Sequence, residues 1–597
     1  MIRVRPSQST NVCELLFLVA GLGFQSGCGP SPPAAPKTSS AANQTVPTFD
    51  NIAAAVGLDF SHQVELSGNY LFSESMASGG AFLDFDNDGR LDAYLIHNVG
   101  SNATGLAINR LFHQQPDGRF KDVSAGSGLE QSSYGNGLAV GDLNNDGLPE
   151  VLVTEYERVR LFLNEGRGHF RDVTDAAGIT NAHWSIPAAF FDYDRDGWLD
   201  LVLGNYLDFD PSQKCPDARG RVDFCGPHGF PATTTRLFRN VTGRRVSVGK
   251  PVGRAELKFE DVTVASGLVR VPGKAMGIVC ADFNGDHWPD VMVADDELPN
   301  RLFVNQRNGT FLEEAVRRGL AYTGTGATAA NMGIALGDVD GDGRFEVFVP
   351  HLTEENHTLW RQSSPGIFQD VTAAAGLLTL PWHGTGFGAV LGDLNNDGAL
   401  DLAVANGRIR RGPARNQLRV LNGLPAFWVP YAEPAQLFVN DGAGRFQEVS
   451  EASPVFCGEA LVGRGLLCGD VDNDGALDLL VTGIAAPARL FHNTTKARGH
   501  WLGIRAVEPV LGNRDAYGAE LEIRAGRRKW WRLLQPAYSY ASSNDPRVHV
   551  GLGSAAMVDE IRVVWPDGAE ETFPGGAVDR YLVLQRGSGV KAGVRSP

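Results

Sequence analysis

Short apolar runs alternate with short turns rich in aspartate, asparagine and glycine along most of this chain. In one example, an apolar run at residues 334–336 precedes such a turn and another at residues 347–349 follows it. Apolar runs this short, bounded by turn-forming residues, predict β-strands paired as hairpins. The 72 glycines among 597 residues fit a fold with many tight turns. We therefore expect an all-β protein.

The polar turns are copies of one nine-residue pattern that occurs seven times, and we number them loop 1 to loop 7 along the chain. Positions 1, 3 and 5 carry aspartate or asparagine, position 6 is glycine in all loops but the fourth, and position 9 is aspartate or glutamate. The residues at positions 1, 3, 5 and 9 are Asp84, Asp86, Asp88, Asp92; Asp142, Asn144, Asp146, Glu150; Asp192, Asp194, Asp196, Asp200; Asp282, Asn284, Asp286, Asp290; Asp338, Asp340, Asp342, Glu346; Asp393, Asn395, Asp397, Asp401; and Asp470, Asp472, Asp474, Asp478.

Two further strand motifs complete each repeat. A Leu-Phe-like pair follows every loop, and a strand resembling Phe-x-Asp-Val-Thr follows that pair after loops 1 to 6. After loop 7 this last strand is missing, but a matching segment at residues 49–52 precedes loop 1. An N-terminal strand that completes the final unit would close a ring and cover its open edge. Seven four-stranded units over residues 48–495 therefore predict a seven-bladed β-propeller, an architecture built by radial repetition.

A glycine lies five residues before the first aspartate in six of the seven repeats. A glycine inside a strand marks a place where another backbone approaches closely. This position therefore predicts the innermost strand of each blade, where the blades crowd together.

The loops have the composition of calcium sites. Ca²⁺ takes about six to eight oxygen ligands, and alternate carboxylates with a glycine at the sharp turn supply most of them. The same residue types are also ordinary turn formers, but seven copies in register favour metal binding. We predict up to seven Ca²⁺ ions, with loop 4 the poorest match because His287 replaces its glycine. The net charge of −16 argues against nucleic acid as a partner.

The C-terminal part, residues 499–588, alternates apolar and polar positions, which predicts a small β-sandwich domain. Its motifs, Tyr-Gly-Ala at 517–519, Tyr-Ser at 538–539, His-Val-Gly-Leu-Gly at 549–553 and Val-Trp-Pro-Asp-Gly at 564–568, resemble an ASPIC/UnbV domain. The loops and their strands resemble FG-GAP/VCBS repeats, the type found in integrin α-subunit propellers. The combination resembles the cartilage acidic protein 1-like family. That resemblance implies an extracellular calcium-binding role, often in adhesion, and it names no reaction.

The N-terminus is typical of an export signal. Arg3 and Arg5 precede an apolar run at residues 15–24, and Cys28 stands where a bacterial lipoprotein carries its lipidated cysteine. We predict an export segment at residues 1–28 and a Pro/Ala/Ser-rich linker at residues 29–47. The expected location is the bacterial cell envelope, for a lipoprotein, or the medium, for a secreted protein.

The cysteines suggest two short disulfide loops, which an oxidising compartment permits. Cys215 and Cys225 lie ten residues apart in one insertion, and Cys457 and Cys468 form a second closely spaced pair. The alternative for each pair is two buried free thiols. Cys280 is expected to be a core residue.

The long insertions predict a partner face opposite the loops. They span residues 207–235 and 407–435 and fall in the second turn of their blades. Long loops on a rigid scaffold commonly carry binding residues, and aromatic and arginine side chains dominate recognition surfaces. The predicted partner is an extracellular protein or glycan, and the alternative is that these loops pack over the blades. The candidate contact residues are Trp184, Trp382, Arg408, Arg410, Trp428 and Tyr431.

Two classes of function remain open. A binding module without catalysis is favoured because the chain has no nucleophile elbow, no zinc-protease helix and no phosphate loop. The alternative is a polysaccharide lyase or hydrolase with its site on the face opposite the loops. Asp295 or Asp296, paired with Tyr206, is the candidate acid and base for such an enzyme.

Overall fold

The computed structural model describes residues 45–591, except 65, 77, 100–106, 133, 218, 246–255, 379, 381 and 413–418. The predicted export segment, Cys28 and most of the linker lie outside the described residues. In the part that the structure describes, no helix is long and apolar enough to span a membrane.

The described residues before residue 494 form seven four-stranded antiparallel sheets, which we call blades 1 to 7 after their loops. The strands of blades 1 to 3 are Gly80–Leu83, Asp92–Leu95, Arg110–Gln114, Phe120–Asp122; Gly135–Gly141, Glu150–Glu155, Arg158–Gly166, His169–Asp172; and Ser185–Phe191, Asp200–Asn205, Arg236–Asn240, Phe259–Asp261. The strands of blades 4 to 6 are Ala275–Ala281, Asp290–Asp295, Arg301–Asn305, Phe311–Glu313; Ala335–Gly337, Glu346–Val349, Thr358–Ser364, Ile367–Asp370; and Gly386–Gly392, Asp401–Asn406, Gln436–Asn440, Phe446–Glu448. Blade 7 has the strands Gly463–Gly469, Asp478–Gly483, Arg489–Asn493 and Phe49–Asn51.

The ring closes through the N-terminal strand. Phe49 of this strand pairs with Asn493, and Asn51 pairs with Phe491, in antiparallel register. The innermost strands of neighbouring blades also contact one another in a closed cycle. The predicted β-propeller is therefore confirmed, and most of its apolar core lies between adjacent blades.

The helices are short and lie in the connections. The α-helices are Ala53–Val56, Thr174–Ala177, Thr263–Ser266, Ala315–Arg318 and Pro454–Cys457, and the 3₁₀ turns are Phe72–Ser75, Thr242–Arg245, Leu268–Arg270, Val429–Tyr431, Ser450–Ala452 and Pro509–Leu511. One further hairpin, Cys215–Pro216 with Val222–Asp223, lies in the first insertion.

The C-terminal domain is a sandwich of two sheets. One sheet contains His500–Glu508, Arg514–Asp515, Val548–Gly553 and Arg580–Gln585, and the other contains Glu520–Ala525, Arg528–Leu533, Met557–Val564, Glu570–Ala577 and Val590–Lys591. Alternate side chains of both sheets are buried between them, such as Ile504 and Val550 of the first and Ile523 of the second.

A segment of this domain enters the centre of the propeller, and we call residues 535–545 the channel segment. Its residues Ser542–Ser543 pair in parallel with the innermost strand of blade 1. The amide of Ser539 donates to the carbonyl of Ile334 in blade 5 at 2.6 Å. The side chain of Asn544 accepts a bond of 2.9 Å from the amide of Cys468 in blade 7.

The inner-strand glycines are explained by this crowding. A Cβ atom on Gly79 would lie 2.5 Å from the carbonyl oxygen of Ala541, and one on Gly333 would lie 2.7 Å from the backbone of Ser539. Only glycine leaves room for both the neighbouring blade and the channel segment.

Candidate metal loops and their surroundings

The seven loops share one backbone geometry. In loop 1, the carboxylate of Asp84 accepts hydrogen bonds from the amides of Asp88, at 3.0 Å, and Gly89, at 2.9 Å. The position-6 amide donates to the position-1 carboxylate in every loop. Loop 4 keeps this geometry because His287 adopts the positive φ of +65° that glycine adopts elsewhere. The histidine therefore changes the residue type but not the shape of the loop.

The position-9 acid ties each loop to its blade. In loop 1, the fully buried Asp92 accepts from the amide of Phe85 within the loop and from the amide of Gln114 on the third strand, at 3.2 and 2.7 Å. Each of the seven position-9 acids is buried. Because this side chain reaches the loop from below, its acidic group faces the acids at positions 1 and 3.

Loops 1, 3 and 5 bring oxygen ligands from positions 1, 3 and 9 within 4.8 Å of one another. These sets are Asp84, Asp86, Asp92; Asp192, Asp194, Asp200; and Asp338, Asp340, Glu346. In two of them, buried oxygens accept no hydrogen bond from the described residues, namely Oδ1 of Asp86, Oδ1 of Asp340 and Oε1 of Glu346. A buried carboxylate oxygen without a partner is costly, and a hard cation is the ligand that these all-oxygen sets fit.

Two histidines that sequence reasoning missed adjoin the acids. His113 lies 3.0 Å from Asp92, and His492 lies 3.2 Å from Asp478, measured from Nδ1 of the histidine to a carboxylate oxygen. Both follow the Leu-Phe pair on the third strand, so the signal was a polar residue at the next position of that motif.

The electrostatics of the loops favour a cation. Burial, with the nearby carboxylates of Asp86 and Asp84, raises the pKa of Asp92 to about 8. Burial, with the nearby carboxylate of Asp397, also raises the pKa of Asp393 to about 7. A bound divalent cation would reverse both effects, because it supplies positive charge where the protein supplies little.

The loops are also linked to one another around the ring. The side-chain amide of Asn145 in loop 2 donates to the carbonyl of Gly197 in loop 3 at 3.1 Å. The side-chain amide of Asn396 in loop 6 donates to the carbonyl of Gly475 in loop 7 at 2.9 Å. In loops 1, 2, 6 and 7, position 4 is an asparagine that joins neighbouring loops, a role that spacing alone did not show.

The C-terminal domain covers the loop face of the propeller. The hydroxyl of Tyr581 donates to Oδ2 of Asp470 at 2.6 Å, and the guanidinium of Arg498 pairs with Asp474 at 2.9 Å. The indole of Trp530 donates to the carbonyl of Gly398 at 3.0 Å. The C-terminal domain therefore covers loops 6 and 7, which the sequence did not indicate.

The expectation of an exposed aromatic face opposite the loops is wrong for three of the predicted contact residues. Trp184, Trp428 and Tyr431 are buried, at 1–2% exposure. Trp428 stacks on Phe224 with ring centres 5.6 Å apart, so the two insertions pack on each other. The physical reason is that these apolar side chains gain more by burying one another than by facing water.

The other predicted contact residues keep some exposure. Arg410 is exposed and Trp382 is half-buried. Arg408 is half-buried and bridges Glu354 and Glu433, at 2.6 and 3.1 Å.

The five cysteines that the structure describes divide into one disulfide and three thiols. Cys215 and Cys225 form a disulfide within the first insertion. Cys457 and Cys468 do not pair, and with Cys280 they are buried thiols. The reason is their placement, since Cys457 ends a helix in the connection between blades 6 and 7, whereas Cys468 lies on the innermost strand beside the channel segment.

The acid and base suggested for catalysis are also buried. Asp295 pairs with Arg301 through two bonds of 2.7 Å. Tyr206 donates to Oδ2 of Asp296, and both side chains are at most 1% exposed. Burial raises the pKa of Asp296 to about 8. Substrate would not reach this pair without a rearrangement of the surrounding core.

Comparison with known proteins defines the class. The FG-GAP-like repeat family matches residues 84–153, 142–203 and 259–349. The ASPIC and UnbV family matches residues 510–591. The chain therefore contains FG-GAP-like repeats within its propeller and an ASPIC and UnbV domain at its C-terminal end, as its motifs predicted.

Its curated relatives share this similarity over part of their length. The chain is similar to cartilage acidic protein 1 of Homo sapiens, with 23% identity over 327 residues, which cover 53% of this chain and 44% of that protein. The Xenopus tropicalis protein of the same name is 23% identical over 323 residues, covering 53% and 45%. The chain thus spans less than half the length of these relatives.

Among solved structures, a lectin of Agrocybe aegerita in a study of N-acetylglucosamine recognition aligns with 14% identity and a TM-score of 0.36. The alignment covers 65% of this chain and 84% of that one. A structural similarity with a TM-score this low shows nothing about the function of this chain.

Proposed function

We propose that this protein is an exported calcium-binding β-propeller that acts as a binding module for an extracellular protein or glycan. The observation that carries the calcium proposal is the set of buried carboxylate oxygens that have no hydrogen-bond partner among the described residues, at Asp86, Asp340 and Glu346. They lie in loops 1 and 5, which have the same geometry as the other five loops, so the proposal extends to up to seven ions. When bound, Ca²⁺ would neutralise the clustered carboxylates.

The chain's own residues define how each site would be held. The position-1 carboxylate shapes the turn, positions 3 and 5 present oxygens, and the position-9 acid joins the loop to the third strand. Metal binding at such a hairpin would stabilise the blade edge that the C-terminal domain covers. The proposed role of calcium is therefore structural, and partner binding would use the remaining surface.

Export is supported by the disulfide between Cys215 and Cys225, since disulfides persist in oxidising compartments. The proposed anchor is a lipid on Cys28. Metabolic labelling with a radioactive fatty acid is expected to mark the native chain and the Cys13→Ala control but not Cys28→Ala. Equal labelling of both variants would contradict the anchor.

Calcium binding is tested by titration calorimetry on the purified full chain, with Asp340→Asn as the variant. Asp340 Oδ1 is buried and accepts no hydrogen bond within the described part of the chain, so its loss is expected to remove one site from the stoichiometry or to weaken that site strongly. The matched control is Asp441→Asn, an acid in an exposed turn of the next blade that accepts bonds from Ala443 and Arg445. Absence of calcium binding at millimolar concentration, or an equal loss in both variants, would refute the proposal.

The partner is tested on a glycan array, once with calcium and once with EDTA. Calcium-dependent binding of a defined sugar would support a lectin-like module. If no glycan binds under either condition while calcium binding is intact, the glycan proposal is rejected and an extracellular protein remains as the proposed partner.

A further inference from the structure

A cavity of about 330 Å³ lies between the loop face of the propeller and the C-terminal domain. Loops 1 and 2 form its floor, and the strands His500–Glu508 and Arg580–Gln585 contribute to its roof. Protein interiors contain few voids larger than a water molecule, whereas binding sites for small molecules usually measure about 300–1,000 Å³ and often lie between domains. The size and the position of this cavity are therefore those of a ligand site.

The walls of the cavity are largely apolar. Phe82, Leu91 and Val140 line it from the propeller and are at most 5% exposed. Leu582 and Val583 line it from the C-terminal domain, and Val583 is 60% exposed, which places it at the mouth. These walls fit an apolar body.

The acidic side chains that line the cavity already have partners. Asp84 and Asp142 accept from the amides of their own loops. Asp515 accepts from Arg505 at 2.6 Å, and Asp545 accepts from Arg547 at 2.8 Å. A ligand therefore meets few free acceptors in this cavity.

The donors that line the cavity retain unused capacity. Arg505 uses Nε and Nη2 for Asp515, and Nη2 also donates to Oδ1 of Asn87 at 3.4 Å, whereas Nη1 donates to none of the described residues. The hydroxyl of Tyr517 likewise has no hydrogen-bond partner among them, although the residue is only 5% exposed. The side chain of Arg514 is 2% exposed, and its Nε atom donates a hydrogen bond to none of the described residues. Unused donors beside an apolar wall match a ligand with acceptor oxygens at one end.

We infer that this cavity binds a small organic carboxylate, with the apolar body against Leu91 and Val140 and the carboxylate at Arg505 and Tyr517. The guanidinium supplies the positive charge that a carboxylate needs, and charge-assisted bonds of this type are the strong ones. The inference does not depend on an external partner. Loops 1 and 2, which form the floor of the cavity, are among the proposed calcium loops, so the binding test is made with calcium present.

The test is ligand-observed NMR and calorimetry on the full chain in calcium-containing buffer. The probes are phenylacetate and octanoate, each matched with the amine of the same carbon skeleton. Both carboxylates are expected to bind below millimolar concentration, and the amines at least tenfold more weakly. Binding of the amines as tightly as the carboxylates would overturn the assignment of the ligand's charge.

Two variants locate the binding. Val583→Trp fills the mouth from an exposed position and is expected to weaken binding at least tenfold, whereas Val590→Trp, on an exposed edge strand that does not line the cavity, should leave it unchanged. Tyr517→Phe is expected to weaken the carboxylates about three- to tenfold, as the loss of one hydrogen bond does. Absence of binding by every probe, or binding that survives Val583→Trp, would overturn the inference.

Discussion

The channel segment should be the element that holds the C-terminal domain in the propeller, and Tyr540 is the residue that tests this. Its side chain is fully buried, and its ring lies 4.9 Å from the ring of Phe387 in an edge-on arrangement. Its hydroxyl donates to the carbonyl of Met76 at 2.6 Å, across 464 positions of sequence. One side chain therefore joins the N-terminal part of the propeller, blade 6 and the C-terminal domain.

Two substitutions at Tyr540 separate the hydrogen bond from the packing. Tyr540→Phe keeps the ring but leaves the Met76 carbonyl without this partner, which costs about 1–3 kcal/mol for a buried group. Tyr540→Ala also removes the ring, and truncation of a buried aromatic side chain costs about 3–5 kcal/mol. The expected order of stability is wild type, then Tyr540→Phe, then Tyr540→Ala, with the last at least 4 kcal/mol below wild type, as the sum of the two effects implies.

The assay is urea denaturation followed by tryptophan fluorescence, at one fixed calcium concentration. Tyr322→Phe is the control, since Tyr322 is 38% exposed and should change stability by less than about 0.5 kcal/mol. Limited proteolysis at the connection between the two parts of the chain should also become faster in Tyr540→Ala. A Tyr540→Ala protein within 1 kcal/mol of wild type would refute the docking role, because a buried aromatic residue cannot be removed from a packed channel at so low a cost.

Three further outcomes are expected. Calcium at about one hundred times its dissociation constant should stabilise the fold by about 2.7 kcal/mol per occupied site relative to a chelator, and an unchanged melting temperature would contradict this. Arg301→Met should cost about 3–5 kcal/mol in urea denaturation because it leaves Asp295 buried and unpaired, and Asp295→Asn in addition should recover part of the loss. Burial lowers the pKa of His351 to about 4 from 6.5, so the neutral side chain stabilises the fold above pH 6.5. This stabilisation is lost as the pH falls from 6.5 towards 4, by up to about 1.4 kcal/mol per pH unit. His351→Gln should make the melting temperature fall less steeply between pH 6.5 and pH 4, whereas His183→Gln, at an exposed position, should leave this pH dependence unchanged.

The propeller was predictable because the sequence features that specify each blade lie close together along the chain. The blades repeat the same apolar runs and turn residues, and six of the seven repeat the inner glycine. Each of these features acts on neighbours within a few tens of residues. The missing last strand after loop 7 and its copy at residues 49–52 showed even the closure of the ring, which Phe49 and Asn493 then form. The shape of the acidic loops was predictable for the same reason, since the four predicted ligand positions of a loop lie within nine residues, and metal binding by these loops stays a prediction.

The surroundings of the loops depended on contacts between distant parts of the chain. Tyr581 reaches Asp470 across 111 positions, and the side chain of Arg411 reaches the hydroxyl of Tyr70 across 341. A repeating sequence pattern does not show which distant residues will touch. The sequence therefore could not show whether Trp428 is buried or exposed.

The sequence by itself determined the all-β repeat, the ring of blades and the positions of the acidic loops, because strand periodicity and turn chemistry are short-range. Only the tertiary structure decided that the C-terminal domain covers those loops, that residues 535–545 fill the channel and that the insertions pack together on the other face. These outcomes follow from which apolar surfaces find a complementary partner once the blades have formed, and that match is a property of three-dimensional shape.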